Sequence, residues 1–355
     1  MRPLVARIDT AALAHNLGVA RAAAPDAKVL AVIKANAYGH GLTRAARALR
    51  AADGFAVLSI DEAAQLRAEG YTHPIVLLEG FFQVEELAEI AHLRLRPVIH
   101  RPDQAGLLAR ARLDHRLDVL VKVDTGMHRL GLRPQLLRET LELLKQSPNV
   151  AGITLMTHFA CADDPAIGVA EQLARFDEAA GGFAYPRTLA NSAALLRYPE
   201  THADWVRPGI MLYGASPFVD QNGEQLGLLP AMTLESKLIA VQAVKKGEGI
   251  GYGHAYIAER DMQVGVVACG YADGYPRHAV TGTPILVDGR RTRTLGRVSM
   301  DMLCVDLTPV PSAHVGSPVT LWGAGLGVDQ VAAAAGTIAY ELLTAVTPRV
   351  WLEEA

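Results

Sequence analysis

The chain is predicted to be an α/β protein, an N-terminal (β/α)8 TIM-like barrel followed by a mainly β C-terminal domain, and three observations predict it. Short apolar runs recur between residues 28 and 213, most of them followed by a stretch of helical periodicity. The charged and polar residues that interrupt these runs fall at their carboxyl ends, where a barrel gathers its chemistry. Beyond Gly214 the pattern turns from strand–helix alternation to hairpins.

The expected barrel strands are 28–35, 54–59, 74–80, 96–100, 118–125, 152–159, 187–192 and 204–213. The first contains Val29-Leu30-Ala31-Val32-Ile33, an unbroken apolar run of the kind a strand buried on both faces requires. Helical patterns occupy 42–52, 61–70, 84–93, 104–112, 135–145 and 169–180; in the third, Leu87, Ile90 and Leu93 share one face opposite acids. Between Gly214 and Pro230 the composition becomes that of a linker. Strands are expected at 234–244, 264–269, 284–287, 290–295, 303–307 and 319–322, with Asp288-Gly289 as a hairpin turn. Helical patterns at 328–335 and 338–345 follow. Two domains are expected, 1–227 and 228–355.

Half of the 355 residues are hydrophobic and 20% are charged, which is ordinary for a compact globular chain. A net charge of -3 without a basic run gives no reason to expect a nucleic-acid or membrane-surface partner. Neither a secretory signal nor a membrane helix is expected. Three cysteines, odd in number and not in CxxC spacing, argue against a disulfide framework or zinc site and for a cytoplasmic location.

Lys34 follows the first apolar run, and two readings compete. It marks the solvent end of a strand, or it is a desolvated amine able to form an imine with a carbonyl. Lys122 also interrupts an apolar run; it pairs with Asp124, or it positions Arg129, whose rigid fork can meet an anion. His158 reads as a core histidine with no metal-ligand spacing around it. Arg207, within a strand pattern, demands a partner, and a salt bridge across the barrel is the plain expectation. Asn191, Ser192, Gly209 and Ile210 bring polar groups and backbone N–H groups to the ends of strands seven and eight, where many barrels hold a phosphate. Tyr252 and Tyr271 stand between glycines, and Met300 ends a strand-like run.

Together these stretches resemble the alanine racemases, a pyridoxal-phosphate-dependent family of barrel type. The resemblance rests on VIKANAYGHG at 32–41, KVDTGMHRLG at 122–131, THFACAD at 157–163, ANSA at 190–193, VRPGIMLYG at 206–214, GYG at 251–253, GYADGYPR at 270–277 and GRVSMDM at 296–302. It implies that Lys34 carries pyridoxal 5'-phosphate as an imine and serves as one acid/base. Tyr252 would be the other, reaching in from the partner of a head-to-tail homodimer. Tyr38, Ser192, Gly209, Ile210 and Tyr340 would contact the phosphate, with Asn191 and His158 also at the cofactor. Arg129 would bond the cofactor's phenolic oxygen and, with the backbone N–H of Met300, hold the substrate carboxylate, and Arg207 would face the pyridine nitrogen. Tyr271 would line the passage to the site, and Lys122 would be carbamylated. The implied reaction interconverts L- and D-alanine by two bases, supplying D-alanine for peptidoglycan or serving alanine catabolism. A cofactor-carrier protein, an amino-acid decarboxylase and a metal-dependent hydrolase are the rival readings; no metal is expected.

Overall fold

The computed structural model describes residues 2–355. Contacts divide the chain into two compact units: residues 17–37 with 41–212, and residues 2–16 with 38–40 and 213–355.

The first unit is a closed, all-parallel barrel of eight strands: β2 (Lys28–Val32), β3 (Gly54–Val57), β4 (Ile75–Leu77), β5 (Arg96–Ile99), β6 (Leu117–Lys122), β7 (Val150–Met156), β8 (Arg187–Thr188) and β9 (Trp205–Val206). The ring closes where Lys28 and Val29 of β2 pair with Trp205 and Val206 of β9. Val29, Ala31, Val57, Leu77, Ile99, Val121 and Leu155 are fully buried, as strands covered on both faces must be. All eight expected strands are present, but every one ends short of its expected carboxyl-terminal limit. The run expected to reach Tyr213 ends at Val206, because Pro208 has no N–H to extend a ladder; a 3-10 turn, Ile210–Tyr213, follows.

The run from Lys28 ends at Val32, and the chain then enters a left-handed turn. Ala35, Asn36, Ala37 and Tyr38 have φ of 55, 52, 53 and 51°. Left-handed backbone costs L-residues roughly 1–2 kcal/mol each, so surrounding bonds must hold it. Ala37 N–H donates to Ile33 O (2.9 Å) and Gly41 N–H to Asn36 O (3.0 Å). Asn36 Oδ1 accepts from Leu42 N–H (2.8 Å). Glu62 adds a further tie. It completes the capping box with Ser59 at the start of the helix Ile60–Ala68, and its Oε1 also accepts from Asn36 N–H at 3.3 Å.

The second unit is mainly β. β10 (Met232–Val244) is its longest strand, followed by β11 (Gly249–Ile250), β12 (Tyr256–Ile257), β13 (Met262–Val267), β14 (Pro284–Val287), β15 (Arg290–Leu295), β16 (Leu303–Asp306) and β17 (Pro318–Trp322). Pairings run β10–β13–β16–β15–β14–β17 and back to β10, a ring that β10 closes by serving two neighbours along its length. The Asp288-Gly289 turn joins β14 to β15 as expected, with φ of 49° and 72°. Two four-residue strands were not expected: β1 (Val5–Ile8), antiparallel to β10, and β18 (Trp351–Glu354), parallel to β1. Both are too short for periodicity to register. Among the described residues, no helix is long and apolar enough to cross a membrane.

Candidate active site

Within the barrel the functional side chains stand just past the carboxyl ends of their strands. Lys34 follows β2, Lys122 ends β6, His158 follows β7, Asn191 and Ser192 follow β8, and Arg207 follows β9. Four of these groups are held near one another with little negative charge between them. Burial lowers the Lys34 ammonium below its ordinary value, and Arg129 lowers it further, while Glu79 and Glu62 oppose. Burial drives Lys122 down to about 8, with Arg207, Arg129 and Lys34 acting in the same direction and Asp124 against. His158 is pushed well below its usual range by burial and by those same cations, so its imidazole is neutral.

Arg207 corrects an expectation. Among the described residues, no salt bridge crosses the barrel to it. The guanidinium, 3% exposed, donates to Thr188 Oγ1 (2.7 Å), Thr157 O (2.8 Å) and Leu189 O (3.1 Å), all neutral acceptors. Its Nη2 also lies 3.4 Å from His158 Nδ1. Arg207 is always a donor, so His158 Nδ1 accepts and the imidazole proton sits on Nε2. Burial brings Arg207 down only to about 10, so it keeps its charge at neutral pH.

Among the described residues, Lys122 is likewise without a carboxylate partner. Asp124 instead organises its own loop: Oδ1 accepts from the N–H groups of Gly126 (3.1 Å) and His128 (3.0 Å), and Oδ2 meets His128 Nδ1 at 3.0 Å. The far end of that loop is pinned by Asp124 N–H to Leu132 O and Leu132 N–H to Lys122 O, both 2.8 Å. Gly131, at φ +139°, lets the two strands of the loop approach; a Cβ there would sit 2.5 Å from Asp124 N. Arg129 is thereby carried, exposed and without a partner among the described residues, on a loop closed at its base.

Ser192, 4% exposed, accepts from Gly209 N–H at 2.8 Å, which leaves its hydroxyl hydrogen free to donate. Ile210 is fully buried at the start of the 3-10 turn. Asn191 caps the helix Ser192–Arg197, its Oδ1 accepting from Ala194 N–H (2.9 Å), so its amide serves the fold.

In the second unit, Tyr38 is buried between Tyr213, stacked with a centroid distance of 4.6 Å, and Tyr340 at 5.9 Å. Tyr252, Tyr271 and Met300 form a separate group. Tyr271 N–H donates to Ser299 O (3.1 Å) and Ala272 N–H to Met300 O (3.0 Å). The GYG loop borders the same segment, since a Cβ on Gly253 would meet Arg297 Nη1 at 3.5 Å. Tyr252 is 71% exposed and Met300 52%, so their own unit does not bury them.

The alanine racemase N-terminal domain model matches residues 8–217, and the alanine racemase C-terminal domain model matches residues 231–353. The chain belongs to the alanine racemase family. It is 58% identical over 350 residues to an alanine racemase of Nitrosospira multiformis, with 98% of each chain covered. It is 52% identical over 350 residues to a catabolic alanine racemase of Klebsiella aerogenes, again covering 98% of each. The crystal structure of the biosynthetic alanine racemase from Pseudomonas aeruginosa superposes with a TM-score of 0.97 at 50% identity, covering all of both chains. The chain is an amino-acid isomerase that interconverts L- and D-alanine, on the barrel-then-β architecture expected from its sequence.

Three residues of this alanine racemase site escaped sequence reasoning. Glu62 and Glu79 are the acids that act on Lys34; the capping pattern Ser59-Ile60-Asp61-Glu62 could have revealed the first. Asp273, fully buried, pairs with Arg2 and Arg349 and accepts from Gly270 N–H (2.9 Å), fixing the loop that carries Tyr271. Its partners are too distant in sequence for any local pattern to show.

Proposed function

We propose that Lys34 and Tyr252 are the two acid/base groups of the racemisation, one for each face of the substrate α-carbon, with pyridoxal 5'-phosphate as the cofactor. The observation that carries this reading is the surplus of cations at the barrel mouth. Lys34, Lys122, Arg129 and Arg207 suit an anionic, aldehyde-bearing group and an amino-acid carboxylate. Pyridoxal phosphate supplies an aldehyde that takes up an amine and a conjugated ring that accepts the electron pair left when the α-hydrogen departs as a proton. The Lys34 amine, its proton affinity reduced by burial and Arg129, is the group that holds the cofactor and takes or returns a proton on one face. Tyr252 does the same on the other face.

Ser192, Gly209, Ile210, Tyr38 and Tyr340 are assigned to the cofactor phosphate, the Ser192 hydroxyl having its hydrogen available to donate. Arg207 is assigned to the pyridine nitrogen. Its neutral acceptors hold it in place without cancelling its charge, so it opposes a proton there. His158, neutral and anchored on Arg207, and Asn191, through the helix it caps, complete the cofactor wall. Arg129 and the Met300 N–H are assigned to the substrate carboxylate, and Tyr271 to the passage leading in. A carbamate on Lys122 would set an anion beside Arg129 and steady it. A neutral amine is the form that adds carbon dioxide, and a value of about 8 leaves a useful fraction neutral.

The exposure of Tyr252 and Met300 supports a head-to-tail homodimer in which each protomer's β domain, taken as residues 228–355, completes its partner's barrel, taken as residues 1–227. We place the enzyme in the cytoplasm, acting on a small amino acid; both biosynthetic and catabolic enzymes stand among its relatives. The test is Tyr252→Phe, assayed in deuterated water with each pure enantiomer. Loss of α-proton exchange from one enantiomer, with exchange from the other retained, is expected. Equal exchange from both would refute the scheme.

A further inference from the structure

The opposite end of the barrel carries a second group of cations that racemisation does not use. Between the loops leading into β4, β5 and β6 lies an open cavity of about 650 Å³. These loops precede their strands, so the cavity sits at the amino-terminal ends, away from the mouth that holds Lys34 and Arg207. Its lining includes Arg67, Arg94, Arg96 and Arg116 against one acid, Asp118. Arg96 is compensated, pairing with Asp118 at 2.8 Å. Among the described residues, the other three have no counter-ion within ion-pair distance.

Two of those three are fixed in place. Arg67 donates to the carbonyls of Leu93 (2.8 Å), Tyr71 (2.6 Å), His73 (2.9 Å) and Arg94 (3.1 Å), tying two of the loops together. Arg116 donates to Val150 O at 2.6 Å. Carbonyls orient these guanidiniums without neutralising them. The Arg94 side chain is exposed and, among the described residues, makes neither hydrogen bond nor ion pair. His73, also in the lining, places Nε2 3.0 Å from Arg50 O, so Nε2 is its donor; its Nδ1 is buried with no partner and is an acceptor. Around Tyr71 also stand Glu69, Arg50 and Arg47. This concentration is notable in a chain whose net charge is -3.

We infer that this cavity is a binding site for a small polyphosphate, and that a nucleoside triphosphate matches its volume and its mixed polar lining. Arg94 and Arg116 keep guanidinium N–H groups that meet phosphate oxygens as forks, while Arg67, with four of its five N–H groups on carbonyls, contributes its charge. A volume near 650 Å³ lies within the ordinary range of small-ligand pockets, roughly 300–1,000 Å³.

The test is calorimetric titration of the holoenzyme, cofactor in place, with inorganic triphosphate, ATP and adenosine at low and high salt. Both polyphosphates are expected to bind once per chain, more weakly at high salt, and adenosine not at all. Tighter binding of ATP than of triphosphate identifies a nucleotide; equal binding identifies polyphosphate alone as the ligand, which keeps the anion site and overturns the nucleoside assignment. Arg94→Asn should weaken binding at least about tenfold, the loss of one charged hydrogen bond, with kcat/KM for alanine unchanged. Asparagine tolerates the φ of 52° at this position, so the loop is kept, and Arg94→Lys should restore part of the affinity. Absence of saturable binding by either polyphosphate, or binding indifferent to Arg94→Asn, would overturn the proposal.

Discussion

Replacing Lys122 by methionine is expected to make the cofactor-free protein more stable at neutral pH. Lys122 is 5% exposed and, among the described residues, has no carboxylate in ion-pair contact, and the cations Arg207, Arg129 and Lys34 act on it against Asp124 alone. Its proton affinity falls from the ordinary 10.5 to about 8 in the folded chain. At about 1.36 kcal/mol per tenfold change, carrying the proton costs the fold about 3 kcal/mol. The sign follows from which state binds the proton more tightly. Between pH 8 and 10.5 the unfolded chain holds a proton that the folded chain has lost, so stability rises with pH across that window. Below about 8 the full penalty applies; above 10.5 it vanishes. Methionine fills a similar volume without charge, and exchanging buried ions for apolar groups is often stabilising. Urea unfolding in buffer purged of carbon dioxide should therefore show Lys122→Met ahead by about 3 kcal/mol at pH 7, with the gap closing by pH 10.5. Added bicarbonate should stabilise the parent alone and, if isotopically labelled, give a carbamate carbon signal that the variant lacks. A variant no more stable than the parent at pH 7, or a gap independent of pH, would refute the reasoning.

Two further predictions come from the loops. Asp273→Ala removes a buried carboxylate that pairs with Arg2 and Arg349 and leaves Gly270 N–H without its acceptor; both arginines are part-exposed and Arg349 keeps Asp301. It should cost about 1–3 kcal/mol, read by urea unfolding, with faster amide exchange at Gly270 and Tyr271. Gly131→Ala forces a Cβ against Asp124 N at 2.5 Å in a backbone region that disfavours side chains. A loss of about 2–3 kcal/mol is expected, and a raised KM for alanine as Arg129 is displaced; an unchanged KM would mean that the loop does not position that arginine.

Most of the barrel could be read in advance because each strand is buried on both faces, and that burial demands an apolar run whatever the neighbours are. The Asp288-Gly289 hairpin was legible for a similarly local reason, since two successive residues at positive φ leave few alternatives. β1 and β18 were not. Four residues carry too little periodicity, and each exists because the other and β10 supply its hydrogen bonds.

The placement of lysines and arginines at strand ends was likewise visible along the chain, as was the family to which they point. Their surroundings were not. The expectation of a salt bridge to Arg207 rested on the usual fate of a buried cation, and folding instead surrounds that cation with a threonine hydroxyl and two carbonyls. The expected pairing of Lys122 with Asp124 fails because the carboxylate is committed to its own loop. The left-handed turn after Lys34 was hidden too, for alanine and tyrosine adopt it only under constraint from Glu62 and the Asn36 bonds. Residue order thus determined which side chains line up at the strand ends, because alternation and burial act over a few neighbouring positions. The charge state and aim of those side chains were decided by tertiary structure, because they depend on dipoles and ions brought close from distant parts of the chain.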